Sequence, residues 1–239
     1  MVTFLRRKKL GAGSLRGMSA YLNGTDNTSG ISVVKSRGEA ASIIRNDKLT
    51  SGQDLLNSSD LVVRWGCTTP LGIPLEKQVN PSSAIKLVGD KLGCRLLLRE
   101  MDPTLIPDTI VTGETNFGEG LRVLRPRRHA QGRNLFVVNG IQELLNVVRS
   151  KPSVFSGGWY ASELVNKVAE YRVYVVSGRV ATVARKTPDD ETQVAWNVAQ
   201  GGRFDVVRWG EWPLEVCRVA IEAFKHVPNL DFSGVDVTG

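Results

Sequence analysis

Residues 171–185 read Tyr-Arg-Val-Tyr-Val-Val-Ser-Gly-Arg-Val-Ala-Thr-Val-Ala-Arg. Two runs rich in β-branched and aromatic residues flank the Ser-Gly dipeptide at 177–178, and this pattern predicts a β-hairpin closed by a two-residue turn. A turn of that length fixes the pairing of the two strands, so Glu170 is expected to face Arg185. The hairpin is the clearest structural signal in the chain.

Successive side chains of a strand point to opposite faces of the sheet. With the predicted pairing, Glu170, Arg172 and Arg185 share one face. The opposite face is apolar and is predicted to join the core; it carries Tyr171, Val173, Val175, Val180, Thr182 and Ala184. The charged face has two interpretations: a structural ion pair between strands, worth about 0.2–1 kcal/mol, or a functional cluster.

Helical and strand patterns alternate on both sides of the hairpin, which is typical of an α/β fold. In the N-terminal part we predict strands over 31–34 and 60–66 and a helix over 38–46. Further along, we predict helices over 84–92, 141–150 and from Pro213, and strands over 121–126, 135–138, 159–165 and 232–237.

The composition is that of a globular protein of one or two domains: 239 residues, 41% hydrophobic and 23% charged. Three cysteines, Cys67, Cys94 and Cys217, lie far apart with no CxxC pair, which argues against a disulfide framework or a structural zinc site and favours a reducing cytoplasm. No apolar run reaches the roughly 18 residues of a membrane span. Two histidines, His129 and His226, far apart in sequence, give no recognisable nucleophilic triad.

Positive charge is concentrated near the N-terminus. Residues 1–50 hold nine basic and three acidic residues, which accounts for +6 of the net charge of +7. A basic segment can bind nucleic acid or another polyanion, and it can equally be a solvated basic surface. Binding of nucleic acid through this segment is therefore kept as one hypothesis.

Four motifs occur in a recognisable order around the hairpin. Glu163-Leu164-Val165 precedes Glu170 by seven residues, and a basic loop occupies 125–134. Asn197 is followed by Gly201-Gly202, and the chain closes with Gly234-Val235-Asp236. Taken together, these motifs resemble the ATP-grasp superfamily, and within it the ribosomal-protein glutamate ligases, the D-alanine–D-alanine ligases and short ATP-grasp proteins encoded by bacteriophages.

The resemblance covers most of the chain and implies an α/β (α+β) ATP-grasp fold. Residues 1–83 would form a small α/β domain that precedes the grasp. Residues 84–160 would form the first ATP-grasp subdomain and residues 161–239 the second.

The resemblance also implies which residues bind the nucleoside of ATP. Glu163, with the backbone of Leu164 and Val165, would meet the adenine edge, whose exocyclic amine needs acceptors. Glu170 would bind the ribose, because one carboxylate can accept hydrogen bonds from two hydroxyls. Asn197 resembles the first residue of the family's Asn…Gly-Gly segment and would also contact the nucleotide.

By the same resemblance, Arg125 and the flap residue Gly132 would lie against the phosphates. Arg172 and Arg185 would be catalytic, stabilising phosphate or acyl-phosphate oxygens through charge-assisted hydrogen bonds. Asp236 would be the first ligand of Mg²⁺.

The sequence departs from the family pattern in three places. Arg125 stands where a lysine is common, and Trp196 stands where an arginine is common. The second metal-ligating pair of the family, a Glu followed two residues later by an Asn, does not occur between Asp236 and Gly239. We expect that pair to lie in a segment beyond Gly239.

The resulting hypothesis is an ATP-dependent carboxylate–amine ligase that forms an amide through an acyl phosphate, with ATP, Mg²⁺, an acid and an amine as partners. A homodimer is compatible with the resemblance. Two alternatives stay open: a catalytically inactive binding or structural protein with the ATP-grasp fold, and a nucleic-acid-binding protein.

Overall fold

The computed structural model describes residues 2–6, 31–36, 39–45, 52–112, 119–129, 134–151, 154, 158–190 and 192–239. The strands in this part of the chain are β1 (Val2–Arg6), β2 (Ile31–Ser36), β3 (Glu39–Arg45), β4 (Leu61–Trp65), β5 (Gln78–Val79), β6 (Thr109–Val111), β7 (Leu121–Pro126), β8 (Phe136–Asn139), β9 (Trp159–Glu163), β10 (Glu170–Val176), β11 (Arg179–Thr187), β12 (Arg203–Val206) and β13 (Phe232–Thr238). The helices are α1 (Gln53–Asn57), α2 (Ser82–Gly89), α3 (Lys91–Met101), α4 (Gly140–Ser150) and α5 (Leu214–Lys225). The predicted α/β class is confirmed.

The chain divides into two compact units. The first comprises Met1–Lys86 with Asn229–Asp231, and the second comprises Leu87–Pro228 with Phe232–Gly239. The domain boundaries predicted after residues 83 and 160 stay predictions. The basic segment behind the nucleic-acid hypothesis lies mostly outside the described residues.

The first unit is built on a sheet with the strand order β2-β3-β1-β4-β5. β1 pairs in parallel with β3 and β4, β4 pairs in parallel with β5, and β2 is antiparallel to β3. Buried Leu56, Val62, Cys67 and Ile73 form a core cluster of this unit. Parallel strands joined through helices and loops are the pattern that the α/β prediction implied.

The helix predicted over 38–46 is wrong, because this segment forms strand β3. β3 is hydrogen-bonded on both sides, to β1 and to β2. Glu, Ala and Arg favour helices locally, but pairing with two neighbouring strands outweighs a propensity of a few tenths of a kcal/mol per residue.

The second unit contains two antiparallel sheets. The first has the order β6-β9-β7-β8, and α4 packs against one of its faces. Between that face and α4 lies a cluster of buried residues: Leu124, Val138, Leu144, Val154, Trp159 and Ala161. The other sheet has the order β12-β11-β10-β13, and α5 contacts its strands β10, β11 and β13.

The hairpin prediction is confirmed at the turn. Ser177 and Gly178 both have positive φ, 49° and 75°, as a two-residue turn between right-twisted strands requires. Farther from the turn, the predicted pairing is wrong. A β-bulge at Ala181 makes Tyr174 pair with Thr182, so Glu170 faces Lys186 instead of Arg185. One extra residue in a strand moves every following side chain to the opposite face.

A second correction concerns the helix predicted over 84–92. The chain forms two helices there, α2 and α3, separated at Asp90. Asp90 caps α3, since its Oδ1 accepts a hydrogen bond from the backbone N–H of Gly93 at 3.0 Å. An aspartate is among the best N-cap residues, so it starts a new helix inside an otherwise periodic segment.

Among the described helices, none combines the length and the apolar character that a membrane span needs.

Candidate active site

Four charged side chains meet on one face of the second sheet of unit two: Glu170 and Arg172 on β10, Lys186 on β11 and Asp236 on β13. Arg172 binds Asp236 through two bonds of 2.8 Å, from Nε to Oδ1 and from Nη2 to Oδ2. The Lys186 ammonium lies 2.9 Å from Asp236 Oδ1 and also donates to Glu170 Oε1. Lys186 therefore ties the two carboxylates together.

Lys186 is the central residue of this network. Its side chain is only 1% exposed, and an ammonium at such a position needs both carboxylates to balance its charge. The Asp236 side chain is 44% exposed, so one edge of its carboxylate is open to a ligand. Burial alone would raise the pKa of Asp236, but the hydrogen bonds and charges of Arg172 and Lys186 outweigh it and hold that pKa below its usual value. The carboxylate is therefore ionised at neutral pH.

Aromatic rings cover the basic groups of the network. The Phe204 ring on β12 lies 4.9 Å from the Arg172 guanidinium and 5.6 Å from the Lys186 ammonium. Lys167 forms an ion pair with Glu170, and its ammonium lies 4.5 Å from the centre of the Trp196 ring. Such cation–π contacts hold the charged groups in place without neutralising them.

A second group of basic residues gathers around Tyr160. Arg125 on β7 pairs with Tyr160 on β9, and the His129 Nε2 lies 2.9 Å from the Tyr160 hydroxyl. From α3, the Arg95 guanidinium lies 5.5 Å from the centre of the Tyr160 ring. Lys91 is one helical turn before Arg95 and shares its face of α3. We call Lys91, Arg95 and Arg125 the basic cluster.

The basic cluster has no protein carboxylate partner in the described part of the chain. Among the described residues, none of its members forms an ion pair with a carboxylate, and the buried Nε of Arg125 has no hydrogen-bond partner. Burial lowers the pKa of both Lys91 and Arg125. Arg95 and Arg125 are half-buried and Lys91 is exposed. Three positive charges placed close together attract anions.

The basic cluster and the carboxylate network are neighbours within the second unit. The charges of Asp236 and Arg172 act on Lys91, and the charge of Glu170 acts on Arg125. A negatively charged ligand bound to the cluster would therefore also be subject to the charges of Asp236 and Glu170.

The start of the basic loop after β7 is fixed to the first turn of α3. Arg127 donates from Nε and Nη2 to the Asp90 carboxylate at 2.5–2.8 Å, and its carbonyl accepts from the backbone N–H of Lys91 at 3.0 Å. The Arg127 backbone N–H in turn donates to the Gly158 carbonyl at 2.6 Å. These bonds hold Lys91 and His129 at the same end of the site.

We expect Asp90→Ala to lower the free energy of unfolding by about 1–2 kcal/mol, because it removes an N-cap and the partner of Arg127. Asp90→Asn should lose less, since an asparagine still caps a helix. Arg127 holds the pKa of Asp90 below its usual value, so the charged part of this stabilisation is present above about pH 4 and is lost as the pH falls through the folded pKa. Urea unfolding at pH 7 and pH 3 measures both effects, and equal loss in the two variants would contradict the capping role.

A cavity of about 340 Å³ lies at the ends of β7 and β9. Its lining consists of Asp108, Glu119, Gly120, Leu121, Arg122, Glu163 and Leu164. Two of the residues predicted to meet adenine, Glu163 and Leu164, thus border a cavity, while Val165 follows them as an exposed residue. The volume is in the range of small-molecule sites.

The Asn…Gly-Gly segment forms a tight turn before β12. The Asn197 carbonyl accepts from the backbone N–H of Gln200 at 2.9 Å and of Gly202 at 3.0 Å. Gly201 has a φ of 92°, and a Cβ on Gly202 would come within 3.2 Å of the Thr187 and Asn197 carbonyl oxygens. Glycine is favoured at both positions for this reason. The turn carries the chain from Trp196 to Phe204, the two aromatic residues that cover the basic groups.

The structure thus brings together some of the predicted site residues. Glu170, Arg172 and Asp236 meet in one network, and Arg125 lies beside it. Arg185 does not join them, because it faces Tyr171 and Asp205 and is exposed. Gly132 lies outside the described residues.

Sequence reasoning missed five residues of the site. These are Lys91, Arg95, His129, Tyr160 and Lys186. Lys186 directly follows the predicted residue Arg185 in the sequence. The sequence would have pointed to Lys186 only if a β-bulge had been assumed in β11. For the other four residues, only the packing of α3 against the β6-β9-β7-β8 sheet shows that they converge.

No model of a known protein family matches the chain, and no curated protein matches it. Several solved structures do match the chain. The D-alanine–D-alanine ligase from Bacillus anthracis matches with a TM-score of 0.66 at 12% identity and, complexed with ATP, with 0.63 at 14%; both matches cover 100% of this chain, and 82% and 81% of the other chain. A RimK domain ATP-grasp protein from Sphaerobacter thermophilus DSM 20745 gives 0.60 at 14% identity over 100% of this chain and 86% of that one.

The ATP-grasp ligase PsnB, complexed with minimal precursor, Mg and ADP, matches with a TM-score of 0.56 at 13% identity, covering 100% of this chain and 84% of that one. The chain has the ATP-grasp fold. The fold implied by the order of the sequence motifs is therefore confirmed. An ATP-grasp fold supports many chemistries, so the activity has to be argued from the side chains.

Proposed function

We propose that this protein is an ATP-dependent carboxylate–amine ligase that forms an amide through an acyl phosphate. The observation that carries the proposal is the basic cluster, which has no carboxylate partner among the described residues and belongs to the same unit of an ATP-grasp fold as the Lys186 network. A triphosphate supplies the negative charge that the cluster lacks.

The nucleoside would lie at the end of β9 and the start of β10. Glu163 and Leu164 border the cavity there and would meet adenine. Glu170 would accept hydrogen bonds from the ribose hydroxyls, because its ion pairs with Lys167 and Lys186 hold the carboxylate in place. Asn197 belongs to the turn before β12 and would close the site from the side of the β12-β11-β10-β13 sheet.

Mg²⁺ is commonly held by one or two carboxylates together with substrate phosphates. Asp236 fits this role, since its carboxylate is ionised and partly exposed and three protein bonds leave it further acceptor capacity. When bound, Mg²⁺ neutralises charge on the phosphates.

The proposed reaction has two steps. A substrate carboxylate oxygen attacks the γ-phosphorus, the bond to the bridging oxygen breaks, and ADP leaves with that electron pair. An amine then attacks the acyl carbon, inorganic phosphate leaves, and the proton of the amine passes to solvent or to a base. Arg125 and Lys91 would hold the phosphate oxygens, and buried Lys186 would hold Glu170 and Asp236 in place. The work of these residues would be positioning and charge stabilisation. Arg172 would orient Asp236, and Arg185 has no place in this proposal because it faces away from the site.

The proposal is tested by calorimetric titration with a non-hydrolysable ATP analogue, with and without Mg²⁺. We expect a dissociation constant of roughly 1–100 μM that becomes weaker without Mg²⁺. Glu170→Gln should weaken binding by about tenfold or more, because it removes a charged acceptor. Glu222→Gln, which changes an acid on α5, is the matched control.

Absence of binding by the unmodified protein would refute the proposal. Binding without any turnover of acid and amine mixtures would favour the inactive ATP-grasp protein instead. The homodimer and the cytoplasmic location stay predictions, and so does any relation to the bacteriophage proteins that the sequence resembles.

A further inference from the structure

His129 occupies a singular position in the site. Its Nε2 is 2.9 Å from the hydroxyl of Tyr160, whose side chain is 1% exposed, and the two ring centres are 6.1 Å apart. It lies three residues beyond the end of β7, where the chain is held to α3 by Arg127 and Asp90. The imidazole is thus fixed at the edge of the basic cluster rather than free in solvent.

Among the described residues, the charges that act on His129 are all positive. They come from Arg125 on β7 and from Lys91 and Arg95 on α3, while the uncharged Tyr160 faces it from β9. The nearby acid Asp90 is bound by Arg127. Burial and these cations lower the pKa of His129 to about 4. Without a ligand, the imidazole is therefore neutral at physiological pH.

We propose that His129 is a phosphate-binding residue that takes up a proton when a polyphosphate occupies the basic cluster. The inference rests on the proposed function, since it needs a polyphosphate at that place. A ligand with several negative charges among Arg125, Lys91 and Arg95 changes the sign of the field at the imidazole. The protonated form then becomes the favoured one and adds a cation to the site.

The contact with Tyr160 suits both protonation states. The hydroxyl can donate to the neutral Nε2, and after a small rotation of the O–H it can accept from the protonated Nε2–H. Proton uptake therefore needs no movement of the rings. In both states Nδ1 can donate, so the imidazole can face the ligand through that atom.

The chain has two histidines, which makes a direct measurement possible. The second, His226, lies at the end of α5 with its Nε2 3.4 Å from Glu222. In the variant His226→Gln, the one remaining imidazole signal in an NMR titration belongs to His129. This variant keeps His129 and the basic cluster intact, so it does not depend on the folding of a site mutant.

We expect the His129 signal to titrate below about pH 5 in the free protein and above about pH 6 with inorganic tripolyphosphate bound. The non-hydrolysable ATP analogue should give the same shift. Calorimetry at pH 6 in buffers of different ionisation enthalpy should show that wild type and His226→Gln take up about half a proton or more per bound ligand beyond the uptake of His129→Gln. The ionisation of the ligand itself cancels in this comparison.

The outcomes separate the two proposals. If tripolyphosphate and the ATP analogue bind while the His129 signal keeps its midpoint and the proton uptake of His129→Gln equals that of wild type, this inference is wrong and the proposed function stands. If neither ligand binds, both are wrong. If the midpoint moves with tripolyphosphate and with the analogue alike, the phosphates are the source of the effect and His129 is assigned to their site.

Discussion

Replacing Lys186 with methionine is expected to weaken binding of the ATP analogue with Mg²⁺ by about 30-fold or more, whereas Arg185→Met should change it by less than about twofold. The two residues are adjacent in sequence, but they lie on opposite faces of β11. Lys186 is buried between Glu170 and Asp236, while Arg185 is exposed opposite Asp205. A methionine keeps most of the volume of Lys186 and removes its charge and its hydrogen-bond donors.

Loss of Lys186 also leaves two carboxylates close together with one fewer cation between them, so some loss of stability is expected. Lys186→Arg keeps the charge and separates this effect from the loss of binding. Thermal unfolding of all three variants identifies any that do not fold. If Arg185→Met lost binding and Lys186→Met retained it, the bulged pairing of β10 and β11 would be refuted, and the unbulged pairing predicted from the sequence would be restored.

The second large effect is expected at Asp236. Asp236→Asn should remove the enhancement of nucleotide binding by Mg²⁺, so that the dissociation constants with and without the ion agree within about twofold. An amide has nearly the shape of a carboxylate, but it carries no charge and is a weaker ligand for a hard cation. The variant also frees Arg172 and Lys186 from their shared partner.

Asp205→Asn is the matched control for Asp236→Asn. Asp205 is an acid on β12 of the same sheet, and it is hydrogen-bonded to Thr187 and Arg203 away from the network. Its replacement should leave the Mg²⁺ enhancement unchanged. Calorimetric titrations at several Mg²⁺ concentrations give the comparison, and an enhancement that survives in Asp236→Asn would remove this residue from the proposed metal site.

The local elements near the site were largely predictable from the sequence. The turn at 177–178, strand β7, helix α4 and the start of α5 after Pro213 each have a local signal: a turn dipeptide, an apolar alternation, a helical period or a capping position. The order of the motifs around Glu163, Glu170 and Asp236 was enough to predict the ATP-grasp fold. These features depend on residues close together in the chain.

The composition of the site was less predictable. Lys91 and Arg95 belong to α3. Arg125 and Tyr160 lie on strands β7 and β9, and His129 follows β7. No short-range pattern relates the helix to these strands. Their convergence depends on how α3 is held to the loop after β7 by Asp90 and Arg127.

The sequence by itself determined which segments become strands of the hairpin, because alternation and turn chemistry act over a few residues. It also determined the α/β class and the order of the ATP-grasp motifs. Only the tertiary structure decided that Lys186 and not Arg185 faces Glu170, because one bulged residue at Ala181 reverses every side chain after it. Likewise, only the tertiary structure decided that residues 39–45 form a strand, because pairing with β1 and β2 outweighs local helix propensity.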